Sequence, residues 1–176
     1  FWIAVKFSLM VTPISLILAL TTAVLISQVR NGFLAAMYRV FAYLPVILFL
    51  LGGFMAFATG TSWGTFGIML PIAAEITAAT DINMLLPAMA AVLAGSVLGD
   101  HCSPISDTTI LSSTGAGSHH MDHVMTQLPY ALIGGGFATI GYLVLGVTGS
   151  GITGLAVVIL LLIGFIFFFV KRTKAA

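Results

Sequence analysis

Charge is nearly missing from this chain. Lys, Arg, Asp and Glu make up 6% of its 176 residues, six basic against five acidic, for a net charge of +1. A soluble domain carries about 25% charged residues. With 60% hydrophobic residues and a mean hydropathy of +1.17, the chain has too little polar surface to cover a core in water. Lipid is therefore its solvent. The near-zero charge balance gives no basic surface for nucleic acid. A single cysteine, Cys102, excludes an internal disulfide and a zinc site built on paired cysteines. Low-complexity tracts are absent, as is the period-two alternation of a membrane β-barrel. We expect no signal peptide at this start, since residue 1 is Phe, the first apolar stretch is long and no cleavage-like site follows. The absent initiator Met and the abrupt start lead us to expect a fragment of a longer protein.

What is present is long apolar sequence. A spanning helix needs about 20 apolar residues. Residues 7–27, 41–58, 128–147 and 152–170 qualify. We expect a first segment over 2–27, kinked at Pro13, then a short polar connection carrying Arg30 and Arg39. A second segment covers 40–58. A third, 68–79, contains Pro71 and is short for a span. A fourth, 84–98, is short and rich in small residues. A hydrophilic loop, 118–127, leads to two final segments joined by a tight Gly149-Ser150-Gly151 turn. Nineteen glycines suit close helix packing or helix breaks in lipid. The expected fold class is all-α: a polytopic helical membrane protein with discontinuous or re-entrant helices.

Lysine and arginine placement sets the orientation. Lys171, Arg172 and Lys174 put the C-terminus in the cytoplasm, and Arg30 and Arg39 belong there too. The last two segments form a hairpin, so the loop holding His119 and His123 is also cytoplasmic. An even number of crossings must then separate Arg39 from His123, yet segments two to four give three. Either one segment is re-entrant or residues 106–115 cross once more. Both solutions place non-helical backbone inside the membrane, which is tolerated only within protein or beside a water-filled cavity.

The polar residues gather in residues 99–113, with two carboxylates, a histidine, a proline and six hydroxyls. Ionisable groups at membrane depth are costly unless they face a cavity or a partner, so this stretch reads as an ion or substrate site. Asp100 and Asp107 lie seven residues apart and would share one face of a continuous helix. Pro104 disfavours that helix and frees backbone carbonyls. Ser103, Ser106, Thr108 and Thr109 then line or cap the start of a half-helix. These are hard oxygen ligands, suited to alkali cations. His101 is placed to exchange protons with Asp100. The run 59–67 reads as a second break, with Thr59, Thr61, Ser62 and Thr65 supplying oxygens. Glu75 is either a proton carrier or an interfacial residue. His119, His120 and His123 with Asp122 read first as a solvated loop. Adjacent Ser, His and Asp do not supply the geometry of a catalytic triad, which sets an intramembrane enzyme aside. A structural membrane subunit stays open.

Two runs carry a resemblance: Gly60-Thr61-Ser62-Trp63-Gly64-Thr65-Phe66-Gly67-Ile68-Met69-Leu70-Pro71-Ile72-Ala73 and Gly99-Asp100-His101-Cys102-Ser103-Pro104-Ile105-Ser106-Asp107-Thr108-Thr109. Both resemble signatures of the NhaC-type Na⁺/H⁺ antiporter family, as does the stretch 119–126 leading into Gln127-Leu128-Pro129-Tyr130-Ala131. The resemblance implies that residues 1–176 are the C-terminal membrane part of a secondary transporter. Its partners would be an N-terminal half with its own spans, the lipid bilayer and the transported ions, with a homodimer left open. It implies a multi-pass protein of the bacterial inner membrane, exchanging Na⁺ or Li⁺ for H⁺, with no cofactor and no metal beyond the transported Na⁺. On this reading Asp107, helped by Asp100, binds a proton or a cation but never both, because burial disfavours a bare carboxylate and a cation restores it. The alternative within transport is a Na⁺- or H⁺-coupled exchanger of organic anions such as malate and lactate.

Overall fold

A computed structural model describes residues 33–173, with side chains placed from Ala42 onward except near the C-terminus. The expected first segment, 2–27, lies outside the described residues. The fold is all-α. The order is α1 (Phe33–Thr59), α2 (Ser62–Thr80), a 3-10 turn (Ile82–Met84), α3 (Leu85–Cys102), α4 (Asp107–Gly115), α5 (His120–Thr148) and α6 (Gly151–Thr173). Among the described residues, four helical stretches are long and apolar enough to cross a bilayer: Ala42–Thr59, Ile82–Cys102, His120–Thr148 and Gly151–Phe168. The nine residues of α4 reach only ~14 Å, about half a hydrocarbon core.

The core is the crossing of α1 on α3. Small residues let the two backbones touch, as expected for helix contacts in lipid. A Cβ at Gly95 would fall on the Phe49 carbonyl, and one at Gly99 on the Gly53 carbonyl. Around this crossing pack Leu44, Leu48, Phe49, Met69, Ala73, Ala88, Ala91 and Val92. Helix α5 closes the same core: the Tyr142 hydroxyl donates to the Ala90 carbonyl at 3.0 Å, and its ring lies 5.2 Å from that of Phe49. Helix α6 packs along α5, where Gly141 and Gly154 meet and the rings of Phe137 and Phe165 stand 5.6 Å apart.

Four expectations need correction. The break expected over 59–67 is confined to Gly60 and Thr61, because Thr61 caps α2 by accepting from the Gly64 N–H and helix begins at Ser62. Thr65 and Ser62 therefore sit on helix, not on unwound chain. The third segment, expected over 68–79 and short, is the later part of a 19-residue helix, since α2 starts at Ser62 and runs through Pro71 to Thr80. The fourth segment reaches Cys102, so Asp100 is helical. The loop expected at 118–127 is mostly the first two turns of α5.

Gly60 makes the α1–α2 turn. Its φ is +69°, and a Cβ there would meet the Ile105 carbonyl at 2.8 Å. The left-handed conformation alone costs a side-chain-bearing residue about 1–2 kcal/mol. Gly60→Ala is expected to lower thermal stability in detergent by at least that amount; an unchanged melting point would contradict the assignment.

Candidate functional site

Helix α3 buries a stripe of Ala88, Ala91, Val92, Gly95, Ser96 and Gly99, and Asp100 continues it. Asp100 is only 6% exposed. Three hydroxyls converge on its carboxylate. Ser106 donates to Oδ1 at 2.7 Å, Ser62 to Oδ2 at 3.2 Å, and Thr108 to Oδ2 at 3.4 Å. The Ser106 and Thr108 hydroxyls are themselves 2.7 Å apart. The oxygens come from three elements: the start of α2, the break after α3, and the first turn of α4. Among the described residues the one ion pair within 4 Å is His119–Asp122, so no cationic side chain faces Asp100.

Pro104 builds the break. The residue before a proline is pushed out of helical geometry, and Ser103 is extended at φ −76°, ψ 127°. Residues 103–106 close a tight turn, with the Ser106 N–H donating to the Ser103 carbonyl at 3.3 Å. Proline favours the second position of such a turn. Ser106 then stands at the N-cap position of α4 with its hydroxyl turned to Asp100 instead of to the helix's own N–H groups, and Ser62 opens α2. Two helix N-termini thus stand at the Asp100 carboxylate. Their partial positive charge favours an anion there.

A proline break leads one to expect free backbone carbonyls here. The structure shows most of them taken. Gln127 Nε2 donates to the His101 carbonyl at 2.7 Å, and His120 Nε2 donates to the Pro104 carbonyl at 2.7 Å. The Asp100 carbonyl accepts from the Ser103 N–H at 3.1 Å. What faces Asp100 is therefore mainly hydroxyl.

The other expected site residues divide clearly. Ser103 and Thr109 are buried; Ser103 Oγ accepts from the Ile105 N–H and the Thr109 hydroxyl donates to the His101 carbonyl. Asp107 is exposed, opens α4, and accepts from the Thr108 N–H at 2.9 Å. His101 and Glu75 are exposed on α3 and α2. The Thr59 hydroxyl donates to the Met55 carbonyl and that of Thr65 to the Thr61 carbonyl, so both serve their own helix ends. Only Ser62 of that group joins Asp100. Residues 60–64, Gly-Thr-Ser-Trp-Gly, also have the spelling of a hydrolase nucleophile elbow. That elbow requires a strand before the helix and a base at the serine. Here a helix precedes it and the Ser62 hydroxyl meets a carboxylate. Behind the site, an apolar recess of ≈ 420 Å³ bounded by Phe49, Phe57, Leu98, Cys102 and Leu128 offers an ion no hard ligand.

Sequence reasoning missed His120 and Gln127 as holders of the break. Their signal was their spacing, since residues 120, 123 and 127 share one face once the segment is helical.

The sequence profile of the Na⁺/H⁺ antiporter family matches residues 7–147. The chain belongs to the Na⁺/H⁺ antiporter family. An uncharacterized protein of Haemophilus influenzae is 61% identical over 130 residues, covering 74% of this chain and 25% of that protein. An uncharacterized Na⁺/H⁺ antiporter of the same organism is 37% identical over 82 residues, 47% of this chain and 17% of the relative. The malate-2H⁺/Na⁺-lactate antiporter of Bacillus subtilis is 40% identical over 75 residues, 42% of this chain and 16% of the relative. The chain thus spans a quarter or less of the length of these relatives. No solved structure matches it significantly. The family is one of membrane transporters.

Proposed function

We propose that Asp100 is the exchange site of a Na⁺/H⁺ antiporter, carrying Na⁺ or Li⁺ in one direction and H⁺ in the other. The observation that supports this most is a buried carboxylate ringed by three hydroxyls with no basic partner among the described residues. A charge in such a place needs compensation. A proton neutralises it, or a cation does, and the two exclude each other. A hydroxyl both donates and accepts. Without a cation, Ser62 and Ser106 donate to Asp100 while Thr108 donates to Ser106 or to Asp100; with a cation bound the hydroxyls rotate and offer lone pairs. Competition at one carboxylate couples the two flows, and movement of helices around it gives alternating access. The N-terminal half of the protein completes the cavity, and the assembly sits in the bacterial inner membrane with its C-terminus in the cytoplasm. Asp107, exposed at the start of α4, takes a secondary role in ion entry.

The organic-anion reading rests on the malate-2H⁺/Na⁺-lactate relative. An anion needs positive groups. The two helix N-termini that would serve it already stand at Asp100. The cation reading is therefore preferred.

The test is dissipation of a pH gradient in everted vesicles carrying the full-length protein, with Na⁺, Li⁺, K⁺ and malate added in turn. The expected response is to Na⁺ and Li⁺. A response to malate alone would overturn the cation reading.

A further inference from the structure

Three side chains on one face of α5 reach across to the broken segment. His120 holds the Pro104 carbonyl at 2.7 Å and the Ser113 hydroxyl at 3.0 Å. His123 holds the Ser112 hydroxyl at 3.1 Å. Gln127 holds the His101 carbonyl at 2.7 Å. The four contacts reach three parts: the turn from His120, α4 from His120 and His123, and the end of α3 from Gln127. Residues three, four and seven apart share a helix face, so the arrangement follows from helix geometry alone.

We propose that the first two turns of α5 brace the ion site, and that His120 is its positioning residue, acting through the Pro104 carbonyl to fix Ser106 against Asp100. The proposal rests on the cation reading above. The central peptide of the 103–106 turn is held at both ends. Its carbonyl accepts from His120, and its N–H, on Ile105, donates to Ser103 Oγ at 3.4 Å. Rotation of that peptide changes the turn type and carries Ser106 away from Oδ1 of Asp100. A carbonyl only accepts, so His120 Nε2 carries a proton. Its Nδ1 has two options. It accepts a hydrogen bond from the Ser113 hydroxyl, or, when it carries a proton, it donates to Ser113 Oγ while that hydroxyl donates to the Ile110 carbonyl at 2.9 Å. The bond to Pro104 survives in both states. The brace is therefore fixed, not a switch.

Two polar replacements of His120 separate its contacts. A glutamine amide takes the place of Nε2 and reaches Pro104; an asparagine amide takes the place of Nδ1 and reaches only Ser113. In the full-length transporter in proteoliposomes, His120→Gln should keep the apparent KM for Na⁺ within about threefold of the wild type, whereas His120→Asn should raise it about tenfold, a change of ~1.4 kcal/mol. The maximal rate should fall less than the affinity in both. Equal KM values for the two variants, or the reverse order, would overturn the brace. Asp100→Asn run in parallel separates the two readings. If it is inactive and the His120 variants do not differ, the brace alone fails. If it transports normally, the cation reading fails and the brace falls with it.

Discussion

Asp100→Asn in the full-length protein should reduce Na⁺-dependent proton flux at least about 100-fold, to the level of empty vesicles. Asparagine keeps the shape of the side chain and one acceptor oxygen. Its amide faces hydroxyls that reverse direction at little cost, because serine and threonine both donate and accept. The helix and its packing should therefore survive. What disappears is the charge that binds Na⁺ and the group that binds H⁺. A 100-fold loss corresponds to ~2.8 kcal/mol, modest for a cation deprived of the one carboxylate that the described residues bury at this site. Asp107→Asn should do far less, lowering flux about two- to fivefold, since Asp107 is exposed and contacts no hydroxyl of the Asp100 cluster. Membrane abundance and monodispersity in detergent check that both variants fold. Equal and complete loss in the two would move the centre of the site back toward Asp107.

The second large effect concerns architecture. Gly99 precedes Asp100 and holds α3 against α1. A Cβ at Gly99 would fall on the Gly53 carbonyl oxygen and stand 2.7 Å from the Phe57 nitrogen. Both are backbone atoms of a long helix, so neither yields by a rotamer change. Overpacking commonly costs about 1–3 kcal/mol and occasionally more; with backbone on both sides, about 3 kcal/mol or more is expected. Gly99→Ala should sharply lower the melting temperature and the amount of protein in the membrane. Gly134→Ala is the control. Nothing lies within 4 Å of a Cβ there, and alanine favours a helix over glycine by about 1 kcal/mol. That variant should match or exceed the parent in thermal stability. Similar melting temperatures for the two variants would contradict the close α1–α3 crossing.

Much of this was legible in the residues. The apolar runs gave the all-α membrane fold, and Pro104 located the break within one residue. The difference between the two aspartates was legible too, but in a subtler signal. Ala88, Ala91, Val92, Gly95, Ser96 and Gly99 form a helical stripe, and Asp100 falls on it while His101 falls off it. Counting seven residues from Asp100 to Asp107 suggests a shared face only if the helix continues. The turn at 103–106 resets the phase, which places Asp107 outside. The break at Gly60 was read as too long because threonine and glycine favour unwinding in general. A single cap at Thr61 was enough to start a helix. The histidine-rich stretch read as loop because it is polar. Its helical periodicity carries meaning only once one knows that the break lies opposite and needs donors for its carbonyls.

One carboxylate, that of Asp100, is proposed to take either a proton or a cation. Calorimetric titration of Na⁺ into the purified full-length protein tests this directly, repeated in buffers of different ionisation enthalpy and across pH. Na⁺ binding should release a proton on the acid side, Na⁺ affinity should fall about tenfold for each unit by which the pH is lowered there, and Asp100→Asn should abolish both effects. Na⁺ binding without proton release, or proton release that persists in Asp100→Asn, would contradict it.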